Sequence, residues 1–146
     1  MKTFTLDEAQ SLLPLLESLL KRAIEEKRAA EEVDSGLTEL SHRIYLSGGM
    51  RVDVSEVAKM RAEMDEHVRR LREDIAEIVS IGVRVKDLDE GLLDFPCRLD
   101  DKVVLLCWRM GESAIEHWHT IESGFKDRQP VDERFHRRST PGSRPN

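Results

Sequence analysis

The chain has 146 residues, of which 36% are charged and only 5% are aromatic, and it carries a formal net charge of -6. This length fits one domain, and the composition suits long solvated helices better than an all-β sandwich. The negative charge argues against general nucleic-acid binding, because the molecule as a whole would repel a phosphate backbone.

The amino-terminal residues lack the apolar stretch of a secretory signal, and no window approaches the roughly 20 apolar residues that cross a bilayer. Cys97 and Cys107 do not have the C-x-x-C spacing of a redox or zinc motif. We therefore expect a cytoplasmic protein with free thiols and no membrane partner.

Two long helices are predicted in the first half of the chain. Thr5 and Glu8 have the spacing of a capping box, and apolar residues then recur at steps of three and four up to about Tyr45. Ser47-Gly48-Gly49 ends this helix, and a second apolar seam continues to about Ser80. A short connection between matching seams predicts a long antiparallel helical hairpin of coiled-coil type over residues 4–80.

Leucines crowd the start of the first helix, where the sequence places Leu12, Leu13, Leu15, Leu16, Leu19 and Leu20. At about 100° per residue they cover an arc of roughly 160°, which is too wide for one partner helix. A further layer of structure must therefore cover them.

That layer is predicted from a change of periodicity to two. Alternation predicts a strand over Gly82–Asp87, and Gly91 has the position of a positive-φ residue in a tight turn. A returning strand, Leu92–Phe95, is expected to stop at Pro96. The third strand, Lys102–Trp108, is apolar on both faces and should be the most buried. The result is a three-stranded antiparallel meander.

The last part of the chain is predicted to contain a short helix from Glu112 to about Glu122. Residues 129–146 hold three of the five prolines and are expected to form an extended or disordered arm. The predicted fold is α+β and mainly α. It forms a single domain over residues 1–128, with the hairpin at 4–80 and the meander plus short helix at 82–128.

A candidate metal site lies on the predicted short helix. Glu112, Glu116 and His119 are spaced i, i+4 and i+7 and would share one helix face. Imidazole with carboxylates suits zinc, manganese or iron. The alternative is a solvated acidic face with an incidental histidine. His117 and His119 could chelate a metal only if this segment were extended instead.

Other polar residues border the predicted meander. Asp94 could be a metal ligand or a general base, or it could pair with Lys86 across the sheet. Arg109 could bind an internal carboxylate, such as that of Glu112, or the acid group of a ligand. Cys107 alternates with apolar residues, which indicates a buried inert thiol. Motifs of nucleotide-binding proteins and serine hydrolases are absent.

Several segments together also carry a family resemblance: Phe4-Thr5-Leu6-Asp7-Glu8-Ala9, Leu12-Leu13-Pro14, Val85-Lys86-Asp87-Leu88, Leu93-Asp94-Phe95-Pro96, Leu106-Cys107-Trp108-Arg109, Trp118-His119, Gly124-Phe125 and Arg128. From about Phe4 to Val131 the chain resembles an uncharacterised bacterial family, domain of unknown function 2203. That family has no established activity, so the resemblance implies no reaction. It implies that the family pattern includes Lys86, Asp87, Asp94, Arg109, Glu112, Trp118 and His119, whereas Glu116 and His117 are less tied to it.

We therefore expect a self-associating helical interaction module, a homo-oligomer, with a polar cluster of Asp94, Arg109, Glu112 and His119 on its meander. The wide leucine arc and the single-seam hairpin motivate self-association. The alternative is a metal-assisted or acid/base enzyme in which His119, Glu112 and Asp94 act and Arg109 orients an acidic substrate. A third possibility is nucleic-acid contact through the basic carboxyl-terminal arm.

Overall fold

The structure is a computed structural model and describes residues 2–46, 48 and 54–137. In chain order its elements are α1 (Leu6–Leu46), α2 (Val54–Ile81), β1 (Arg84–Asp87), β2 (Leu92–Leu99), β3 (Lys102–Arg109), β4 (His117–His119), a 3₁₀ turn (Phe125–Asp127), β5 (Gln129–Pro130) and α3 (Glu133–Arg137). The α+β prediction of a long helical hairpin, an antiparallel meander and a short helix is confirmed.

The described chain divides into two compact units, a hairpin unit over Lys21–Asp74 and a sheet unit that contains the rest. In the hairpin unit, polar pairs join the two helices. Arg22 bonds to Asp74 at 2.6 Å, and Glu26 bonds to His67 at 2.6 Å. Asp74 is only 3% exposed, so its ion pair with Arg22 favours one register of the hairpin. Among the described helices, none has the length and apolarity needed to span a membrane.

The sheet unit begins with the predicted capping box. The backbone N–H of Thr5 donates to Glu8 Oε1 at 2.9 Å, and the backbone N–H of Glu8 donates to Thr5 Oγ1 at 3.1 Å. Four of the crowded leucines are buried, Leu12 is half-buried and Leu15 is exposed. The ring of Phe4 packs edge-on against Phe95 of β2, with 5.9 Å between centroids. The amino-terminal segment is thereby tied to the sheet.

The described residues form one five-stranded antiparallel sheet in the order β1-β2-β3-β4-β5. The prediction that Pro96 stops the second strand is wrong, since β2 continues to Leu99 and Pro96 pairs with Leu105. The pairing of β1 ends at Asp94, so the missing N–H of Pro96 falls where no β1 partner is needed. Instead, the carbonyl of Pro96 accepts the backbone N–H of Phe4 at 2.7 Å.

The segment after β3 is not the predicted helix. Residues 117–119 form β4 and pair with Leu105–Cys107 of β3. The charged residues of this segment have helical spacing, but tertiary structure outweighs that local preference. The buried strand β3 needs a hydrogen-bonding partner on its second edge, and this segment provides it. The short helix of the fold is α3, further along the chain.

The prediction of an extended or disordered arm from residue 129 is also wrong for residues 129–137. Gln129–Pro130 form β5 beside β4, and Glu133–Arg137 form α3. Phe135 of α3 is fully buried, and its ring lies 5.6 Å from that of Trp118. Residues 138–146 lie outside the described part of the chain.

Gly91, in the turn between β1 and β2, tests the packing of this region. Its φ is +69°, and an added Cβ would lie 2.8 Å from the Cβ of Met110. Gly91→Ala should lower the free energy of unfolding by about 2 to 4 kcal/mol, because strain and overpacking add. Gly48→Ala, at φ +71° with no described atom within 4 Å, should cost only about 1 to 2 kcal/mol. If urea unfolding gave the same loss of unfolding free energy for both variants, the contact with Met110 would have no effect.

Candidate functional site

Three ligand-type side chains converge on one face of the sheet. Asp94 of β2 is the cross-strand partner of Cys107 of β3, and His119 lies on the neighbouring strand β4. All three are buried, at 2%, 1% and 1% exposure respectively. One ligand atom from each lies within 4.8 Å of the others. We call this group the Asp94–Cys107–His119 centre.

The hydrogen bonds of His119 decide which of its ring nitrogens carries a proton. Nδ1 lies 2.8 Å from the backbone carbonyl oxygen of Thr120. A carbonyl oxygen only accepts, so Nδ1 must donate. Nε2, which lies 3.2 Å from Asp94 Oδ1, then carries a lone pair when the imidazole is neutral. Two acceptors would face each other in a buried site, and a proton or a metal cation must therefore lie between them.

The spacing of these atoms suits a metal ion. Two oxygen or nitrogen ligands at about 2.0 to 2.1 Å from a tetrahedral zinc ion are about 3.3 Å apart. The observed separation of His119 Nε2 and Asp94 Oδ1 is 3.2 Å. Histidine ligands of metals characteristically donate their other ring N–H to a carbonyl or carboxylate, as His119 does to Thr120.

Cys107 is unsuited to act as a nucleophile by itself. Burial raises the pKa of its thiol to about 11, and the charge of Asp94 adds to this effect, while the nearby Arg128 guanidinium only partly opposes it. The thiol is therefore neutral near pH 7, and a neutral thiol is a poor nucleophile. A bound cation would replace its proton, since the thiolate is the form that ligates metals.

An ion pair borders the centre on the side of Cys107. Arg128 Nη2 donates to Glu112 Oε2 at 2.8 Å, and the backbone N–H of Arg109 donates to Glu112 Oε1 at 3.0 Å. Burial of the Glu112 carboxyl opposes its ionisation, but the hydrogen bonds from Arg128 and Arg109 outweigh it and lower the pKa. Glu112 is therefore a fixed anion that holds Arg128 in place.

The loop after β4 touches the centre at both ends, through the Thr120 carbonyl and through Arg128. Phe125 holds this loop. Its ring centroid lies 4.1 Å from Cζ of Arg128 and 5.7 Å from Cζ of Arg109. Such cation–π contacts contribute about 0.5 to 2 kcal/mol each, depending on their exposure. These contacts hold the loop against Arg128, which borders the centre, and against Arg109 at the end of β3.

The structure brings together only part of the predicted polar cluster. Asp94 and His119 are in contact, whereas the guanidinium of Arg109 pairs with Glu90 at 2.6 Å. Glu112 reaches the centre through Arg128. Glu116 is exposed and lies outside the ligand-type group, so the predicted helical face of Glu112, Glu116 and His119 does not form. The cross-strand partner of Asp94 on β1 is Arg84 and not the expected Lys86.

Sequence reasoning did not place Cys107 and Arg128 beside Asp94 and His119. The two-residue turn at Asp100 and Asp101, where both residues have positive φ, fixes Asp94 opposite Cys107. Two consecutive aspartates between apolar segments favour a turn, and counting the strand register from that turn would have placed Cys107 opposite Asp94. Arg128 is among the residues that carry the family resemblance, but its pairing with Glu112 could be seen only in the folded chain.

Removal of the Phe125 ring should expose the centre. In a Cys97→Ala background, Phe125→Ala should raise the labelling rate of Cys107 by a disulfide reagent about tenfold, because a loss of about 1.4 kcal/mol of loop contacts raises the open population tenfold. Ile121→Ala is a matched control, since Ile121 belongs to the same loop but is half exposed. Equal rates in the two variants would contradict the fastening role of Phe125.

Comparison with known proteins gives a family but no relative of known activity. The sequence profile of an uncharacterized conserved protein family matches residues 2–131, which include the whole Asp94–Cys107–His119 centre. Neither the curated proteins nor the solved structures yield a match to the chain. The chain therefore belongs to the uncharacterized conserved protein family of domain of unknown function 2203 (DUF2203).

Proposed function

We propose that this DUF2203 protein binds a metal ion at the Asp94–Cys107–His119 centre. The supporting observation is the buried contact of His119 Nε2 with Asp94 Oδ1 at 3.2 Å, in which the other ring nitrogen already donates to a carbonyl. Thiolate, imidazole and carboxylate together favour zinc over manganese, because manganese prefers oxygen ligands. Iron also binds imidazole and is the second choice of metal.

The donor count favours a metal-assisted reaction over a purely structural metal. No fourth histidine, cysteine or carboxylate joins the group among the residues that the structure describes. Three protein ligands and one exchangeable ligand are the arrangement of catalytic zinc sites, whereas structural zinc sites have four protein ligands. In this proposal Asp94, Cys107 and His119 bind the metal, and Glu112 acts indirectly by positioning Arg128.

The test is the metal content of protein purified without a histidine tag. We expect about one zinc ion per chain, and we expect zinc to raise the Tm of chelator-treated protein, because a ligand at 100 times its Kd adds about 2.7 kcal/mol to stability. Protein that holds only trace metal, and whose Tm does not respond to zinc, iron or manganese, would overturn the proposal.

We also propose self-association through the hairpin unit. Among the described residues of Lys21–Asp74, the buried side chains are those of Ala23, Ala30 and Asp74. A half-buried seam of the same unit lines a groove of about 400 Å³ that includes Leu37, Leu40, Ile44, Val57 and Met64. A second copy packed on this seam would give a four-helix bundle with a complete core.

Sedimentation at micromolar concentration tests this second proposal. We expect a dimer that dissociates in Leu40→Glu, because a charge would be buried in the seam. Glu39→Gln is the control, since Glu39 is exposed and outside the residues that line the groove. A monomer for the native chain at all concentrations would rule out the dimer.

A further inference from the structure

Two buried nitrogen atoms without partners lie beside the Asp94–Cys107–His119 centre. Arg128 Nη1 and His117 Nδ1 are buried, and neither has a hydrogen-bond partner among the described residues. His117 is the cross-strand partner of Cys107, and the Arg128 guanidinium is close enough to affect the Cys107 thiol. Leaving a buried donor unpaired costs about 1 to 3 kcal/mol, so such atoms usually bind water or a ligand.

Arg128 is fixed in a position to bind such a ligand. Its Nη2 is held by Glu112 at 2.8 Å, and its Cζ lies 4.1 Å from the centroid of the Phe125 ring. The guanidinium also interacts with the Cys107 thiol, and its Nη1–H, which has no hydrogen-bond partner among the described residues, is a preorganised donor. A neutral thiol is a weak acceptor, whereas the oxygen of an anion forms a strong charge-assisted hydrogen bond with a guanidinium.

We propose that the exchangeable ligand of the metal centre is an oxyanion of the carboxylate or phosphate class, held by Arg128. One oxygen of the anion binds the metal and another accepts the Nη1–H of Arg128. His117 donates a second hydrogen bond in the tautomer that carries its proton on Nδ1. This inference rests on the proposed metal centre. It gives Arg128 the role in binding an acidic substrate that sequence reasoning gave to Arg109.

The surroundings limit the shape of such a ligand. The three metal-binding side chains are at most 2% exposed, so only a small anionic group fits beside them.

The test uses the full-length chain loaded with cobalt in a buffer without coordinating anions. Inorganic phosphate and acetate are titrated separately, and the visible absorption of the cobalt ion is followed. We expect at least one of the two anions to change the spectrum with saturation. Arg128→Gln should weaken that anion at least tenfold while the cobalt spectrum is retained. Arg109→Gln is the matched control, since Arg109 also contacts Phe125 but pairs with Glu90, and it should leave anion binding unchanged.

Each other outcome is decisive. If cobalt binds but neither anion alters its spectrum, or if Arg128→Gln binds the anion as tightly as the native chain, the oxyanion inference fails and the metal proposal stands. If cobalt does not bind at all, both fail. Arg128→Lys covers the case in which the glutamine variant does not fold. It keeps the positive charge beside Glu112 but loses the guanidinium fork, and it should also weaken the anion several-fold.

Discussion

Replacing any one member of the Asp94–Cys107–His119 centre should lower zinc affinity by at least about 100-fold. Structural zinc sites with four ligands bind the ion with a free energy of about 10 to 16 kcal/mol, which is roughly 3 kcal/mol per ligand. Losing about 3 kcal/mol of binding free energy lowers the affinity by more than a factor of 100. The variants are Asp94→Asn, Cys107→Ser and His119→Gln, which keep side-chain size close to that of the native residue. The measurement is a competition titration of zinc against a chromophoric chelator, one variant at a time.

Cys97→Ser is the matched control for this series. Cys97 is as buried as Cys107, at 1% exposure, and also belongs to a central strand. It lies on the opposite face of the sheet, because it is three residues from Asp94 on the same strand. Its replacement should leave zinc affinity within about twofold of the native value, within the spread expected of a neutral substitution. A loss of affinity equal to that of Cys107→Ser would contradict the assigned ligands.

Replacing Phe135 by alanine should lower the free energy of unfolding by about 3 to 5 kcal/mol, the usual effect of deleting a buried phenylalanine. Phe135 is fully buried against Trp118, so α3 contributes to the core of the sheet unit. Glu133→Ala, on the exposed side of the same helix, should change stability by under about 1 kcal/mol. Both are measured by urea unfolding, with tryptophan fluorescence as the probe.

An effect of Phe135→Ala no larger than that of Glu133→Ala would mean that α3 is dispensable. Removal of residues 133–146 is a second test of whether α3 is part of the core. The truncation should destabilise the protein at least as much as Phe135→Ala does. Unchanged stability of the truncated chain would restore the prediction of a carboxyl-terminal arm outside the core.

Periodicity in the sequence was sufficient to predict the hairpin and the meander. Steps of three and four define the seams of α1 and α2, alternation predicts the first strand of the meander, and a continuous apolar run predicts β3. These signals are local, so they can be read from the sequence without knowledge of the rest of the fold. The buried third strand was predicted correctly for the same reason, since Val104–Trp108 are all buried.

The segment after β3 was mispredicted because its structure depends on a distant partner. The spacing of Glu112, Glu116 and His119 is helical, but residues 117–119 form a strand that pairs with the free edge of β3. Because the segment was predicted as a helix, the grouping of the site residues was also predicted incorrectly. On a helix His119 would have joined Glu116, whereas on β4 it faces Asp94 and lies beside Cys107. Asp94 and His119 were predicted as candidates, and their contact was visible only in three dimensions.

The most direct test of the metal centre is the absorption spectrum of the native chain titrated with cobalt. We predict that one equivalent of cobalt gives a near-ultraviolet sulfur-to-cobalt band together with the intense visible bands of a four-coordinate ion, because Cys107 binds as a thiolate beside Asp94 and His119. A spectrum identical to that of cobalt in buffer, with no sulfur band at any ratio of metal to protein, would contradict the account.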